Sequence, residues 1–252
     1  MRIDVALLPD LVADTDSVFA VVDVLRASSA IVILLERGVP AVIPAASVEE
    51  AHELRERFPD YLLCGERDSL PPPGFDYGNS PTEFAALPAR PGEPKGRRAI
   101  LTTSNGTRLL NQLAAAPAVL VGALLNREAA AKAMLTLGAE RGRDATVVCA
   151  AAPDGRSIAL EDALGAGAIV EAALRLDASL RPTDAALFAR DAFLARRRDL
   201  RDALASARHG AELMAAGFSA DIDYCARLDV SSVVPLLWRD ASGPPTLAPH
   251  RR

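Results

Sequence analysis

Four short segments hold most of the chain's chemically capable side chains. In Val21-Val22-Asp23-Val24-Leu25-Arg26-Ala27-Ser28-Ser29, an apolar run ends in a carboxylate and is followed by an Arg and two hydroxyls where a helix begins. A helix N-terminus offers free N–H groups and a positive dipole end, so Arg26 and Ser28 can bind phosphate while Asp23 holds a cation. The same residues also read as a capping serine and a surface Arg–Asp pair. Gly65-Glu66-Arg67 follows a second apolar run, with Gly78-Asn79-Ser80-Pro81 beyond it, where glycine lets backbone approach a ligand closely. Ser80 and Pro81 equally open a helix, with Glu83 completing the capping pattern. Thr102-Thr103-Ser104-Asn105-Gly106-Thr107 sets five hydroxyl or amide side chains around one glycine, the makings of an anion cradle without the GxxxxGK[ST] of a Walker loop. Glu161-Asp162 opens an Ala-rich helix that carries Gly165 and Gly167; the acids are ordinary dipole partners or metal ligands, and the glycines point to a close neighbour.

Smaller signals remain open. Asp221 and Asp223 flank Ile222 as further oxygen ligands or as one face of an exposed strand, and His209 is an acid/base candidate or a helix-face histidine. Cys149 reads as a small buried hydrophobe.

These segments need a scaffold that brings strand ends together. Short β-branched runs alternate with longer helical stretches, the pattern of βα units on a largely parallel sheet. Strands are expected at Ile3–Leu8, Val18–Val24, Ala41–Pro44, Tyr61–Cys64, Arg98–Thr102, Ala118–Val121, Thr146–Ala150 and Val233–Trp238. Helices are expected at Ser28–Arg37, Val48–Phe58, Thr107–Ala115, Arg127–Arg141 and Ile158–Leu176, with Ser47 and Glu50 boxing the start of the second. Asp184–Met214 reads as one or two helices or a lid, Ser69–Pro94 as a functional loop, and the tail from Ser242 as frayed. Residues 1–240 form one α/β domain, with a boundary near 115–125 should it divide into two lobes, and 241–252 form the tail. In open α/β sheets ligands sit at the carboxyl ends of strands, where Asp23, Glu66 and Thr102–Thr107 fall.

Composition narrows the function. The chain has 252 residues, 28 Lys+Arg against 33 Asp+Glu, a net charge of −5 and half its residues apolar. Lys95 and Lys132 are the only lysines and the arginines are dispersed, which argues against nucleic-acid binding. Asp23 and Arg26 interrupt the most apolar stretch, Val18–Leu35, so no membrane span is expected. Three scattered cysteines and three scattered histidines exclude a thiolate zinc site, a disulfide framework and HExxH chemistry, and fit a reducing, cytoplasmic setting. The inventory suits Mg²⁺ and a small, strongly anionic substrate. A homodimer is expected only from the prevalence of symmetric dimers.

Taken in order, Asp23-Val24-Leu25-Arg26-Ala27, Gly65-Glu66-Arg67, Gly78-Asn79-Ser80-Pro81, Thr102–Thr107, Asn126, Glu161-Asp162 and Asp221-Ile222 resemble the 2-phosphosulfolactate phosphatase family, from Met1 to about Pro235. The resemblance implies a three-layer α/β/α fold and a Mg²⁺-dependent hydrolysis of 2-phosphosulfolactate to 3-sulfolactate and phosphate, a step of coenzyme M biosynthesis. It implies catalytic roles for Asp23, Arg26 and Glu66, and metal ligation among Asp23, Glu66, Glu161 and Asp162. Substrate contacts are implied for Arg26, Ser28, Arg67, Asn79, Ser80, Thr103, Ser104, Asn105, Gly106, Thr107 and Asn126. Two positions depart from the family pattern: Ser104 replaces a Thr, and Ala163 replaces the last acid of Glu-Asp-Asp. Leu25 lies two residues past Asp23, so the Asp-x-Asp of haloacid dehalogenase-type phosphatases is missing. The alternatives are a family phosphatase for another small phosphorylated acid and a non-catalytic anion-binding protein.

Overall fold

The computed structural model of the protein describes residues 1–87, 96–152, 154–239 and 243–250. Among these, strands β1 (Arg2–Ala6), β2 (Val18–Val22), β3 (Val42–Ala45), β4 (Leu62–Gly65), β5 (Ala99–Thr102), β6 (Ala118–Gly122), β7 (Ala145–Cys149), β8 (Arg181–Pro182), β9 (Pro235–Trp238) and β10 (Thr246–Pro249) form one sheet. Its order is β4-β5-β3-β10-β9-β6-β2-β7-β1-β8. Pairing is parallel within β6-β2-β7-β1-β8 and within β4-β5-β3. The antiparallel pair β9 and β10 joins these two arms. β6, at the expected lobe boundary, lies inside the continuous sheet between β2 and β9.

Both faces of the sheet are covered, which is why its strands read as unbroken apolar runs. Phe19 and Val21 of β2, Val119 and Val121 of β6, and Leu62, Cys64, Ala99 and Leu101 of β4 and β5 share one core with α1 (Ala27–Glu36), α3 (Pro81–Ala86) and α4 (Gly106–Gln112). Alternate residues point the other way. Val18, Ala20 and Val22 meet α5 (Arg127–Arg141), α6 (Leu160–Leu176) and α7 (Asp184–Arg196), while Ile43, Leu63 and Ile100 meet α2 (Val48–Arg57). The result is a three-layer α/β/α fold whose central helix, α1, is buried from Ala27 to Leu35. The glycines of α6 sit where neighbours leave no room: a Cβ on Gly167 would lie 1.9 Å from the Ala189 carbonyl oxygen of α7, and one on Gly165 would lie 2.6 Å from Val24 Cγ2.

Several boundaries differ from the sequence reading. The strand expected over Val18–Val24 ends at Val22, so Asp23 and Val24 fall in the turn. Asp184–Met214 falls within three helices, α7, α8 (Leu200–Ser206) and α9 (Arg208–Ala215). Asp221 and Asp223 belong to a helix, α10 (Ser219–Cys225), and not to a strand: two residues apart on a helix they face differently, and Asp221 is buried while Asp223 is exposed. Of the expected loop, 88–94 lies outside the described residues, and the part before it contains α3. The expected frayed tail is corrected over 246–249, which form β10; Leu247 is fully buried between Val42 and Leu237. The prolines at 244, 245 and 249 hide this strand from propensity, because proline weakens any strand reading. Residues 242, 251 and 252 lie outside the described residues. Among the described residues no helix is long and apolar enough to cross a membrane.

If β10 bridges the arms, Leu247→Ala lowers stability by about 2–4 kcal/mol, as expected for a buried leucine. Urea unfolding measures this, and an unchanged midpoint would restore the frayed tail.

Candidate active site

The turn after β2 is built around Asp23. The Asp23 N–H donates to Ser28 Oγ at 2.9 Å, Ser28 N–H donates back to the Asp23 carbonyl at 2.8 Å, and Ala27 N–H donates to Asp23 Oδ1 at 3.1 Å. Ser28 Oγ also donates to the Val21 carbonyl, so this hydroxyl braces the turn and does not face the cavity. Across from it, the Gly106 N–H supports the Asp23 carboxyl, and a Cβ on Gly106 would lie 2.6 Å from Asp23 Oδ2. Asp23 thus occupies space that exists only because residue 106 is glycine.

Two more acids stand beside it at the start of α6. Asp162 Oδ1 accepts from Val24 N–H at 2.8 Å, which ties α6 to the β2 turn. Burial pushes Asp23 up to about 6, partly offset by the Ala27 N–H, His209 and the Gly106 N–H, with Glu66 adding to the rise. Burial, then the charges of Asp23 and Glu161, raise Asp162 well above the usual carboxylate range, and burial raises Glu161 as well. A carboxyl raised on folding keeps its proton to higher pH than in the unfolded chain. For Asp23 the cost of the cluster is therefore absent at low pH, grows as pH rises above the ordinary aspartate range, and is complete above about 6.

The opposite side comes from the ends of β4 and β5. Glu66 Oε1 accepts from Ser104 N–H at 2.9 Å and Ser104 Oγ at 3.1 Å, and Oε2 accepts from Ser69 N–H at 3.2 Å. Asn105 Nδ2 donates to the carbonyls of Ala151 and Ala152, which follow β7. Thr103 and Thr107 lock each other: Thr103 N–H donates to Thr107 Oγ1 at 3.0 Å, and Thr107 Oγ1 donates to the Thr103 carbonyl at 3.2 Å. Arg67 donates to Thr102 Oγ1 and to the Glu66 carbonyl, so its guanidinium braces the two strand ends.

Arg26 forms a buried wall. Its Nη1 donates to Asp221 Oδ2 at 2.8 Å, its Nη2 to the Ser69 carbonyl at 2.9 Å, and its guanidinium lies 4.3 Å from the Phe218 ring centroid. Asp221 Oδ1 also accepts from Ser80 Oγ and Thr82 Oγ1, each at 2.6 Å, which links α10 to the start of α3. Arg26 Nε and Asn79 Oδ1 are buried without a hydrogen-bond partner among the described residues. Asn126 lies elsewhere: it caps Ala123 N–H and donates to the carbonyls of Val121 and Val233.

These walls enclose a cavity of about 400 Å³. Asp23, Arg26, Glu66, Asn79, Thr103, Ser104, Asn105, Glu161 and Asp162 line it. Ser28, Arg67, Ser80, Gly106, Thr107 and Asn126 do not: Ser28 and Gly106 brace Asp23, and the others contact the surrounding framework. Asp23 and Glu161 offer oxygens of a kind that suits a hard cation. Among the described residues no group of three or more His, Cys, Asp or Glu side chains is arranged to hold a metal ion.

Residues 6–240 match the family described as 2-phosphosulpholactate phosphatase. The chain belongs to the 2-phosphosulfolactate phosphatase family. A Deinococcus radiodurans protein named a probable 2-phosphosulfolactate phosphatase is 40% identical over 241 residues, spanning 94% of this chain and 93% of its own. Proteins of the same name from Carboxydothermus hydrogenoformans and Pseudothermotoga lettingae are 34% and 36% identical, spanning 93% and 94% of this chain and 92% and 96% of their own.

In this family member the cavity also includes residues that the sequence does not single out, among them Asp68, Ser69, Ala151, Arg208, Glu212 and Ala216. His209 was open from sequence and is part of the cavity wall; Asp221 was open and anchors Arg26; Asp223 pairs with Arg201 on the surface. The signal in Arg208-His209 was a lone histidine at a helix start, and only packing brings it to Asp23.

Gly106 stands at the first position of α4, where alanine is otherwise the better helix former. Gly106→Ala should nevertheless destabilise the protein by about 1–3 kcal/mol through the clash with Asp23. A rise in the urea midpoint would show that Asp23 does not occupy that space.

Proposed function

We propose that the protein hydrolyses 2-phosphosulfolactate to 3-sulfolactate and inorganic phosphate with Mg²⁺, as a step of coenzyme M biosynthesis. The observation that carries this reading is the convergence of Asp23, Glu66, Glu161 and Asp162 with the Thr103–Asn105 loop on one cavity, in a chain of this family. Three free, buried cysteines accord with a reducing, cytoplasmic setting.

The donor chemistry fits Mg²⁺, which takes one or two carboxylates and completes its shell with water and substrate oxygens, so a cage of three side chains is not required. Asp23 and Glu161 would hold it, with Asp162 and Glu66 fixing the flanking backbone. When bound, the ion neutralises charge on the phosphoryl oxygens. The chain's own residues do the rest. Ser104 and Asn105 orient the loop beside the phosphoryl group, held by Glu66 and by the Ala151 and Ala152 carbonyls. Arg208 brings positive charge to the rim, where the sulfonate and carboxylate of the substrate need partners. Arg26 keeps its two Nη groups on Asp221 and Ser69, so it shapes the pocket and offers only Nε. Asp23 presents its carboxyl to phosphorus or to the cation, and the stereochemical course at phosphorus separates these roles: retention for a phosphoryl group passed through Asp23, inversion for direct attack by water.

Phosphate release from 2-phosphosulfolactate should require Mg²⁺, stop with a chelator, and fall by about 10²-fold or more in Asp23→Asn. Full turnover by Asp23→Asn would contradict the site. Release only from a different phosphorylated acid would move the substrate assignment within the same site.

A further inference from the structure

The wall contributed by α9 carries a pair of side chains that the phosphoryl chemistry above leaves unused. His209 Nδ1 lies 3.1 Å from Glu212 Oε2, one turn along the same helix, and the imidazole is 19% exposed. Among the described residues no hydrogen bond engages Nε2. His209 lines the cavity together with Asp23, Glu66 and Glu161. Asp23 after β2 and Glu161 on α6 face it from other elements, and Arg208 and Glu212 flank it on its own. The other histidines stand apart: His52 packs edge-on against Phe75, and His250 follows β10.

A phosphate ester of a secondary alcohol leaves as a strongly basic alkoxide unless it is protonated, and a positioned imidazole is the usual donor. A carboxylate accepting from Nδ1–H fixes the ring's orientation, leaving the Nε2–H of the imidazolium as the working proton. We propose that His209, oriented by Glu212, is the general acid that protonates the departing alcohol oxygen. The role rests on the phosphatase reading above. A water oxygen forms the new P–O bond, directly or after transfer through Asp23, the bridging P–O bond breaks with its electron pair on the alcohol oxygen, and the Nε2 proton moves to that oxygen to form the product hydroxyl. The water consumed in hydrolysis gives up one proton, which restores Nε2 through solvent. The net change is ester plus water to alcohol plus phosphate. Glu212 is a positioning residue, acting through His209.

The test uses His209→Asn, whose amide keeps an N–H near the place of Nδ1 and lacks Nε2. Its kcat on 2-phosphosulfolactate should fall about 10²–10³-fold, with KM and melting temperature close to wild type. The bridging-¹⁸O isotope effect on kcat/KM should rise above that of a slowed Glu66→Gln protein, because the alkoxide then departs unprotonated. Glu212→Gln should lower kcat less and leave KM in place. An undiminished kcat, a loss confined to KM, or a slowed His209→Asn with an isotope effect no larger than the Glu66→Gln control would overturn the role. Wild-type protein inert toward 2-phosphosulfolactate and toward other small phosphorylated acids would overturn the phosphatase reading itself, and the acid role with it.

Discussion

A buried carboxyl at the end of β2 sets the terms for the rest of the site. Asp23 is held by the Ala27 and Gly106 N–H groups and stands against Glu66, Glu161 and Asp162, so its ionised form is opposed by burial and by like charge. Removing a carboxylate from water costs free energy unless a cation or hydrogen bonds compensate it. The backbone donors compensate in part, and the remainder is a standing demand for positive charge within the cavity. The α/β/α framework meets the mechanical side of that demand by burying α1 along nearly its whole length, which fixes the turn that carries Asp23.

The second constraint is convergence. Asp23 and Asp162 belong to one parallel arm of the sheet and Glu66 and Thr103 to the other, and β9 and β10 are what hold the arms in one sheet. Cross-braces tie the ends together: Asp162 to Val24, Asn105 to Ala151, and Arg67 to Thr102. Farther out, the Arg26–Asp221 pair connects the β2 turn to α10 and α3, and being buried it requires both partners to be present. Removal of either would strand a charge in the wall of the cavity.

Much of this was legible in the sequence for physical reasons. The apolar runs reported the strands because both faces of the sheet are covered, and the acid closing the Val21–Val22 run marked the strand end that carries chemistry. Gly165 and Gly167 announced close packing, against β2 and α7. What stayed hidden depends on distance along the chain. Nothing near Asp221 signals that its partner lies at Arg26, and nothing near His209 signals Asp23. The hydroxyl-rich segment looked like one anion cradle, yet Thr103 and Thr107 bond to each other and Ser104 to Glu66, because short polar side chains satisfy local backbone and neighbours first. The prolines around β10 masked a strand that only its partners, β3 and β9, define.

On the proposed reading, burial holds Asp23 partly protonated until a cation enters the cavity. Calorimetric titration of Mg²⁺ into the metal-free protein at pH 6, in buffers of different ionisation enthalpy, tests it most directly. Asp23, raised to about 6, should release its proton as the ion binds, so the measured heat should track the buffer and the dependence should disappear in Asp23→Asn. Binding with no proton release, or no binding at all in the presence of inorganic phosphate, would contradict the claim.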